Sequence, residues 1–229
     1  MAKSTMLNAV LTGKAVPFGR PDMLSAIGKH PVDSAIAIGP AGLEGDEQAD
    51  RRNHGGPDKA IHHYPFDHYA AWRGDLPTPC ALLESVGAFG ENFSTLGLTE
   101  ETVCVGDIFR IGTATVQVSQ GRQPCWKLNH RFGVKDMARR VQSTGRTGWY
   151  YRVLEPGIVA AGDEIALIER PLDDWPLARI LLAFYHDTGD LPTLAGIAEL
   201  EPLASGWRTL ARRRVESGRV EDWSGRLGE

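Results

Sequence analysis

Short strands separated by glycine-containing turns constrain the fold of this chain most strongly. The dipeptide Gly106-Asp107 precedes a predicted strand segment that begins at Ile108. The same dipeptide, Gly162-Asp163, precedes a second predicted strand that begins at Glu164. Gly-Asp is a turn signal, and short strands that recur between such turns are typical of antiparallel barrels and sandwiches. We therefore expect a mainly β fold up to about residue 170.

Apolar and β-branched residues alternate in several segments of this region, which predicts the individual strands. Two segments with helical spacing, residues 65–73 and 135–142, predict helical insertions between strands. The predicted strands cover residues 6–14, 32–38, 59–64, 103–110, 113–120, 149–153 and 164–168.

The pattern becomes helical after residue 170. Three stretches with helical spacing begin near Leu177, Leu194 and Trp207. We expect a β-barrel domain at 1–170 and a small three-helix segment at 171–229, too short to fold independently. Its apolar faces would cover the barrel or a second copy in a homodimer. The last residues, 221–229, are expected to be loosely held.

The charge and cysteine content exclude several classes of protein. Lys and Arg number 25 and Asp and Glu 29, so a net charge of −4 gives no general affinity for nucleic acid or anionic membranes. Neither a signal peptide nor a membrane span is evident. Three cysteines without CxxC spacing argue against a disulfide framework, a structural zinc site or an iron–sulfur cluster. We expect a cytoplasmic, soluble protein.

Cys125 is the strongest candidate for chemistry. It follows a predicted strand and Pro124, which suits a first helical turn, so the thiol lies where a strand ends and a helix begins. Helix N-termini and nearby Arg122 and Lys127 favour a thiolate, which is both a nucleophile and a soft metal ligand. The alternative is a buried, inert cysteine. Cys104 is interpreted as such a core residue, and Cys80 as a loop residue without a role.

A long polar loop over residues 42–64 is the second candidate. Its adjacent glycines, Gly55 and Gly56, would let the backbone approach an anion. The alternative is a solvated surface loop, but loops of this length are usually functional or disordered. The loop's cations suit a phosphate or oxo group, and its aspartates could hold those cations in place. These side chains are Arg51, Arg52, His54 and Lys59, with Asp46, Asp50 and Asp58.

Weaker signals come from two other segments and from the histidines. Asn92 follows a glycine-rich turn. On the strand from residue 149, Tyr151 is expected in the core, so Arg152 would face the opposite side, where a ligand could lie. The histidines fit no metal-binding template, and neighbouring His62 and His63 would face opposite sides of a strand.

Together, these motifs resemble the MOSC domain family, named for the C-terminus of molybdenum cofactor sulfurase. More narrowly, the chain is similar to its YiiM-type members, which are associated with 6-N-hydroxylaminopurine resistance. The similarity covers essentially the whole chain, because this subgroup also adds three small helices to a β-rich core. The motifs are Gly45-Asp-Glu-Gln-Ala-Asp50, His54-Gly-Gly-Pro-Asp-Lys59, Gly90-Glu-Asn92, Thr95-Leu-Gly-Leu98, Gln120-Gly-Arg-Gln-Pro-Cys125-Trp-Lys-Leu128 and Thr147-Gly-Trp-Tyr-Tyr-Arg152.

The resemblance implies a MOSC-type β-barrel that binds a pyranopterin molybdenum cofactor, with Cys125 as the molybdenum ligand and catalytic residue. A soft thiolate suits molybdenum, and a cationic glycine-rich loop suits the phosphate of the pterin. Arg52 and His62 are the next candidates for the same cleft. The residues expected to bind the cofactor are Asp50, Arg51, His54, Gly55, Gly56, Lys59, Asn92, Arg122 and Arg152.

The implied activity is an oxidoreductase reaction, the reduction of N-hydroxylated bases or related N-oxygenated compounds. The chain has too few cysteines for a cluster and no GxGxxG motif. We therefore expect an external electron donor, either a reductase or a ferredoxin- or flavodoxin-like protein. One alternative is a non-catalytic carrier of the cofactor. Another is a Cys–His hydrolase with Cys125 as nucleophile and His54 as base.

Overall fold

A closed β-barrel forms the centre of the molecule. The computed structural model describes residues 4–49 and 55–228. The strands of these residues are β1 (Ser4–Thr12), β2 (Val16–Pro17), β3 (Leu24–Ser25), β4 (His30–Pro31), β5 (Ile36–Gly39), β6 (Gly42–Leu43), β7 (Ile61–Pro65), β8 (Phe93–Thr95), β9 (Ile108–Ile111), β10 (Ala114–Gly121), β11 (Trp149–Glu155), β12 (Gly157–Val159) and β13 (Glu164–Glu169).

Seven of these strands make the barrel, in the order β13-β9-β10-β11-β7-β8-β1, and pairing of β1 with β13 closes it. Strand β4 extends the sheet beyond β1. Pairings within the barrel are antiparallel except that of β7 with β8, where His63 lies opposite Phe93 in parallel register. A helix lies between these two strands in the chain, and such a crossover allows parallel pairing. The predicted mainly β fold is confirmed.

Helices lie between strands and after the barrel, as the sequence predicts. None of the helices in the described part of the chain is long and apolar enough to cross a membrane. Two short 3₁₀ turns occur at Pro57–Lys59 and Ala81–Glu84. The α-helices are α1 (Asp67–Asp75), α2 (Lys127–Phe132), α3 (Met137–Thr144), α4 (Leu177–Tyr185), α5 (Leu191–Ala198), α6 (Ser205–Ser217) and α7 (Ser224–Leu227).

The helices after the barrel share its hydrophobic core. Ile180 and Phe184 of α4 belong to the same buried cluster as Val118 of β10 and the fully buried Trp149 and Tyr151 of β11. The helical segment therefore covers the barrel, one of the two expected arrangements. A second buried cluster packs α1 against α2 and α3. The proposed division between residues 170 and 171 stays a prediction.

The predicted strand over residues 103–110 is largely wrong. Only its last three residues belong to β9, and Cys104 makes an isolated bridge with Pro176. The buried carboxylate of Asp107 accepts a hydrogen bond from the Cys104 N–H at 2.9 Å and forms an ion pair with Arg170. These side-chain contacts stabilise a turn where apolar residues alone favoured a strand. The remaining short strands were missed because two or three residues cannot show a period.

The expectation of a loosely held C-terminus is also wrong for the described residues. Glu221 forms an ion pair at 2.7 Å with Arg214, whose side chain is almost fully buried. Leu227 is 1% exposed and lies in the second buried cluster. These contacts could not be predicted from the sequence, because a short charged segment with a single buried leucine makes no periodic pattern.

Candidate active site

Cys125 lies in a cleft beside the barrel. The cysteine is between the end of β10 at Gly121 and the start of α2 at Lys127, so the predicted strand-to-helix junction is present. Its side chain is mostly buried, with 8% exposed. Four residues expected from the sequence line this cleft together: Lys59, Asn92, Arg122 and Cys125.

Positive charge is concentrated around the thiol. Lys29, Lys59, Arg122 and Lys127 line the cleft, and among the described lining residues only two carboxylates oppose them. These are Asp46 and Glu47, and both already bind other protein groups. The cleft therefore suits an anionic ligand with phosphate or oxo groups.

A backbone hydrogen bond fixes the position of Arg122 in the cleft. Its N–H donates to the Gly148 carbonyl at 3.0 Å. Gly148 has φ +71°, and a Cβ there would lie 2.3 Å from the His63 carbonyl oxygen, so the approach requires glycine. The Nη1 atom of Arg122 is buried, and the described residues offer it no hydrogen-bond partner. This donor is therefore available to a ligand or to water.

His62 and Tyr150 complete the wall next to Arg122. Their ring centroids are 5.1 Å apart. Burial lowers the pKa of His62 well below its ordinary value, and the Arg122 guanidinium lowers it further. Burial raises the pKa of Tyr150, nearby Cys125 raises it further, and Arg122 opposes the rise. Both rings are therefore neutral at pH 7 in the absence of a ligand.

Another part of the cleft wall is fixed by a network centred on Asp46. The carboxylate forms a buried ion pair with Lys29 and accepts hydrogen bonds from the Gly13 N–H at 2.8 Å and from Asn92 Nδ2 at 2.9 Å. Burial lowers the pKa of Lys29, and the Asp46 carboxylate opposes that shift. Asp46 therefore holds a cation in place, but that cation is Lys29 and not one of the loop cations expected from the sequence.

Asn92 lines the cleft, but the protein itself uses its polar atoms. Its Oδ1 accepts from the His62 N–H at 3.1 Å, and its Nδ2 donates to the Leu11 carbonyl at 3.1 Å as well as to Asp46. The side chain therefore joins strands β1 and β7 to the wall of the cleft. This geometry favours a structural role over the cofactor contact expected for Asn92.

Arg152 does not line the Cys125 cleft, contrary to expectation. Its guanidinium forms an ion pair with Asp58 at 2.7 Å and donates to Gln117 Oε1 and the Pro202 carbonyl, each at 2.8 Å. It does face the same side of β11 as Tyr150, but two residues further along the strand. At that position, Asp58 and the helical segment after the barrel bind the Arg152 guanidinium.

The remaining predicted loop residues divide into two groups. Gly55 and Gly56 do not line the Cys125 cleft, and Gly56 borders a neighbouring groove next to Pro57. The structure therefore does not bring these glycines to the thiol. Asp50, Arg51, Arg52 and His54 lie outside the described residues.

Two parts of the chain match family models. Residues 50–166 match the MOSC domain model, and residues 175–218 match a model described as "YiiM-like, 3-alpha helix domain". The chain is 44% identical over 221 residues to Protein YiiM of Escherichia coli, which covers 95% of this chain and 96% of that protein. The chain belongs to the MOSC domain family. The family resemblance drawn from the motifs is therefore confirmed.

A solved structure of YiiM and one further relative extend this MOSC assignment. The crystal structure of YiiM from Escherichia coli superposes with a TM-score of 0.80 at 35% identity, covering 97% of this chain and 98% of that one. A protein named "Reductase" from Gibberella moniliformis is 38% identical over 197 residues, which are 86% of this chain but only 35% of that protein. MOSC domains are generally associated with the molybdenum cofactor.

Cys104 and His63 of this MOSC protein have structural surroundings. Cys104 is 2% exposed, its Sγ lies 3.6 Å from the Asp173 carbonyl oxygen, and burial raises its pKa to about 11. His63 is enclosed in the barrel, where it contacts Thr95 Oγ1 at 2.8 Å, whereas His62 faces the cleft. The two histidines therefore face opposite sides, as expected for strand neighbours.

Tyr150 and Lys29, which both line the cleft, were missed by sequence reasoning. Tyr150 shares the strand side of Arg152, so the alternation that drew attention to Arg152 could have found it. Lys29 had no local signal, because it comes from an irregular segment between β3 and β4 that folds against the Asp46 loop.

Proposed function

We propose that this chain is a molybdenum-cofactor-dependent oxidoreductase that reduces N-hydroxylated bases or related N-oxygenated compounds, with Cys125 as molybdenum ligand. The observation that carries the proposal is the position of a single cysteine in a cleft lined by four cationic side chains. Membership of the MOSC family and the relative named "Reductase" support it.

The residues of the cleft fit the chemistry of this cofactor. A thiolate at Cys125 is a soft ligand suited to a molybdenum–dithiolene centre. Arg122 has a buried donor for which the described residues offer no acceptor, and Lys59 and Lys127 add charge for a phosphate. Lys29 is already paired with Asp46, so it is not assigned a direct contact with the cofactor.

The proposed reaction is R–NH–OH + 2 e⁻ + 2 H⁺ → R–NH₂ + H₂O, in which the N–O bond breaks and the nitrogen is reduced. The bound cofactor would supply the two-electron step. Tyr150 keeps its proton because its pKa is raised, so its hydroxyl can donate a hydrogen bond to the leaving oxygen. His62 stays neutral and can accept a hydrogen bond from the substrate amine.

Electrons would come from outside the chain, from a reductase or a ferredoxin- or flavodoxin-like protein. We place the protein in the cytoplasm, where such donors act, without affinity for nucleic acid or membranes. The helical segment could also mediate a homodimer. The hydrolase alternative takes His54 as the base, and because this residue lies outside the described residues the alternative stays a prediction. His62, the described histidine that lines the cleft, has a backbone hydrogen bond to Gly90 in place of an orienting carboxylate.

Turnover assays with a cofactor-loaded protein test the proposal. Protein from cells that make the molybdenum cofactor is supplied with 6-N-hydroxylaminopurine and a reduced viologen dye, and formation of adenine is followed by chromatography. We expect turnover by the wild-type chain and none by Cys125→Ser, with little turnover when NADH replaces the dye.

Three results would each contradict a part of this proposal. Loaded protein that converts none of a panel of N-hydroxylated compounds would indicate a carrier. Equal turnover by Cys125→Ser would remove the assigned role of the thiol. Robust turnover with NADH by the isolated, flavin-free chain would contradict the need for an external donor.

A further inference from the structure

The C-terminal helix α7 binds the backbone on both sides of Cys125. The guanidinium Nη1 of Arg226 donates to the carbonyl of Pro124, and the N–H of Trp126 donates to the carbonyl of Arg226 at 2.8 Å. One residue of the C-terminus thus holds the peptide groups immediately before and after the cysteine side chain.

Neighbouring contacts fix the position of α7 on this loop. Arg226 Nη2 donates to Gln142 Oε1 at 2.6 Å, and Asn129 of α2 donates to the Leu227 carbonyl at 2.8 Å. Gly228 has φ +80°, and a Cβ there would lie 2.7 Å from Cβ of Trp126, so the chain passes as close as glycine permits. The Arg226 guanidinium is therefore held between the Pro124 carbonyl and Gln142.

The same segment is tied to the three-helix region. Glu221 pairs with the buried Arg214 of α6 and accepts a hydrogen bond from Trp223 Nε1 at 2.8 Å. Trp223 packs against both buried clusters. The segment between α6 and α7 is thereby fixed at both ends, which connects the helical region to the Cys125 loop.

We propose that Arg226 is a positioning residue that fixes the Cys125 loop and so the direction in which the thiol points. Arg226 does not line the cleft, so it acts only through the Pro124 and Trp126 peptide groups. The inference concerns the protein without any ligand and therefore stands independently of the proposed reaction. It also gives the residues after α6 a role in the site, which the helical region otherwise lacks.

Reactivity of the thiol tests this role directly. Native, ligand-free protein is treated with iodoacetamide, and alkylation of Cys125 is followed by mass spectrometry of its peptide. Arg226→Ala should accelerate alkylation about tenfold, because losing hydrogen bonds from a charged donor favours local opening by roughly that factor. Amide exchange should rise in peptides covering residues 121–128. Arg226→Lys, which keeps a charged donor, should restore most of the protection.

The matched control is Arg219→Ala, which removes an exposed arginine from the same segment and should change nothing. Thermal unfolding of each variant separates a local from a global effect. If Arg226→Ala does not fold, the milder Arg226→Gln is measured in its place. Unchanged alkylation, equal acceleration at Cys104 and Cys125, or no rescue by lysine would each overturn the proposal.

Discussion

The Nδ2 atom of Asn92 lies 2.9 Å from Oδ2 of Asp46, in a wall where both side chains are almost completely buried. Through Asp46 the same wall includes the ammonium of Lys29. A carboxylate with a cation on one side and an amide donor on the other is held in one orientation. The shape of the cation-lined cleft depends on this network.

Replacing the donor of Asn92 tests the network. Asn92→Asp would place a carboxylate oxygen where Nδ2 now faces Asp46 and the Leu11 carbonyl. We expect the free energy of unfolding to fall by about 3 kcal/mol or more, because buried like charges and an unpaired acceptor result. Urea denaturation measures the change. The same substitution at exposed Asn8 should have little effect, and equal effects at the two positions would contradict the network.

Arg152 should matter for stability rather than for the cofactor. Arg152→Ala removes the ion pair with Asp58 and the hydrogen bonds to Gln117 and Pro202. We expect a loss of about 1–3 kcal/mol in the free energy of unfolding, with molybdenum content unchanged once the protein is folded. Arg122→Ala should show the reverse, a larger loss of molybdenum than of stability. Molybdenum loss in Arg152→Ala at unchanged stability would return Arg152 to the site.

The two arginines also illustrate what the sequence can predict. Alternation along β11 correctly separates core Tyr151 from outward residues, but it cannot tell how far along the strand the cleft extends. The Cys125 junction was predictable because a strand, a proline and a helix follow one another locally. The contacts of Lys29 with Asp46 and of Arg226 with Pro124 join distant segments, and no local pattern encodes them. The closed barrel with its parallel β7–β8 pair depends on the same long-range contacts.

As the pH is lowered, the free energy of unfolding should begin to fall at a higher pH than titration of carboxylates alone would predict. Burial lowers the pKa of His63 to about 3, against about 6.5 in an unfolded chain. As the pH falls below about 6.5, the unfolded chain binds a proton that the folded chain does not bind until about pH 3. The free energy of unfolding should therefore fall by about 1.4 kcal/mol per pH unit from this residue in that window.

Urea denaturation at about pH 7 and about pH 5 measures this slope. His63→Gln keeps a polar group near Thr95 but removes the titration, so its slope should be smaller by about one proton. The pKa of His62 is also lowered, so part of the pH dependence of the free energy of unfolding should remain in His63→Gln. His30→Gln, at an exposed position, should keep the full slope. A wild-type slope retained by His63→Gln would show that His63 is protonated in the folded state.

Cys104→Ser should lower the free energy of unfolding by less than a hydroxyl in apolar surroundings usually does. The Asp173 carbonyl already accepts from Sγ, so a serine hydroxyl would have an acceptor. We expect a loss of about 1 kcal/mol in the free energy of unfolding and no change in molybdenum content. Thermal unfolding and metal analysis measure both. A loss of molybdenum in Cys104→Ser would mean that the roles of the two cysteines had been exchanged.

Molybdenum and pterin content of the purified protein tests the central claim most directly. Wild-type and Cys125→Ser chains are purified in parallel from cells that make the cofactor, and their metal content and circular dichroism spectra are compared. The account predicts near-equimolar molybdenum in the wild type and almost none in Cys125→Ser, with the same fold in both. Equal molybdenum in the two proteins, or none in a wild-type chain exposed to the cofactor, would contradict the assignment of Cys125 as the metal ligand.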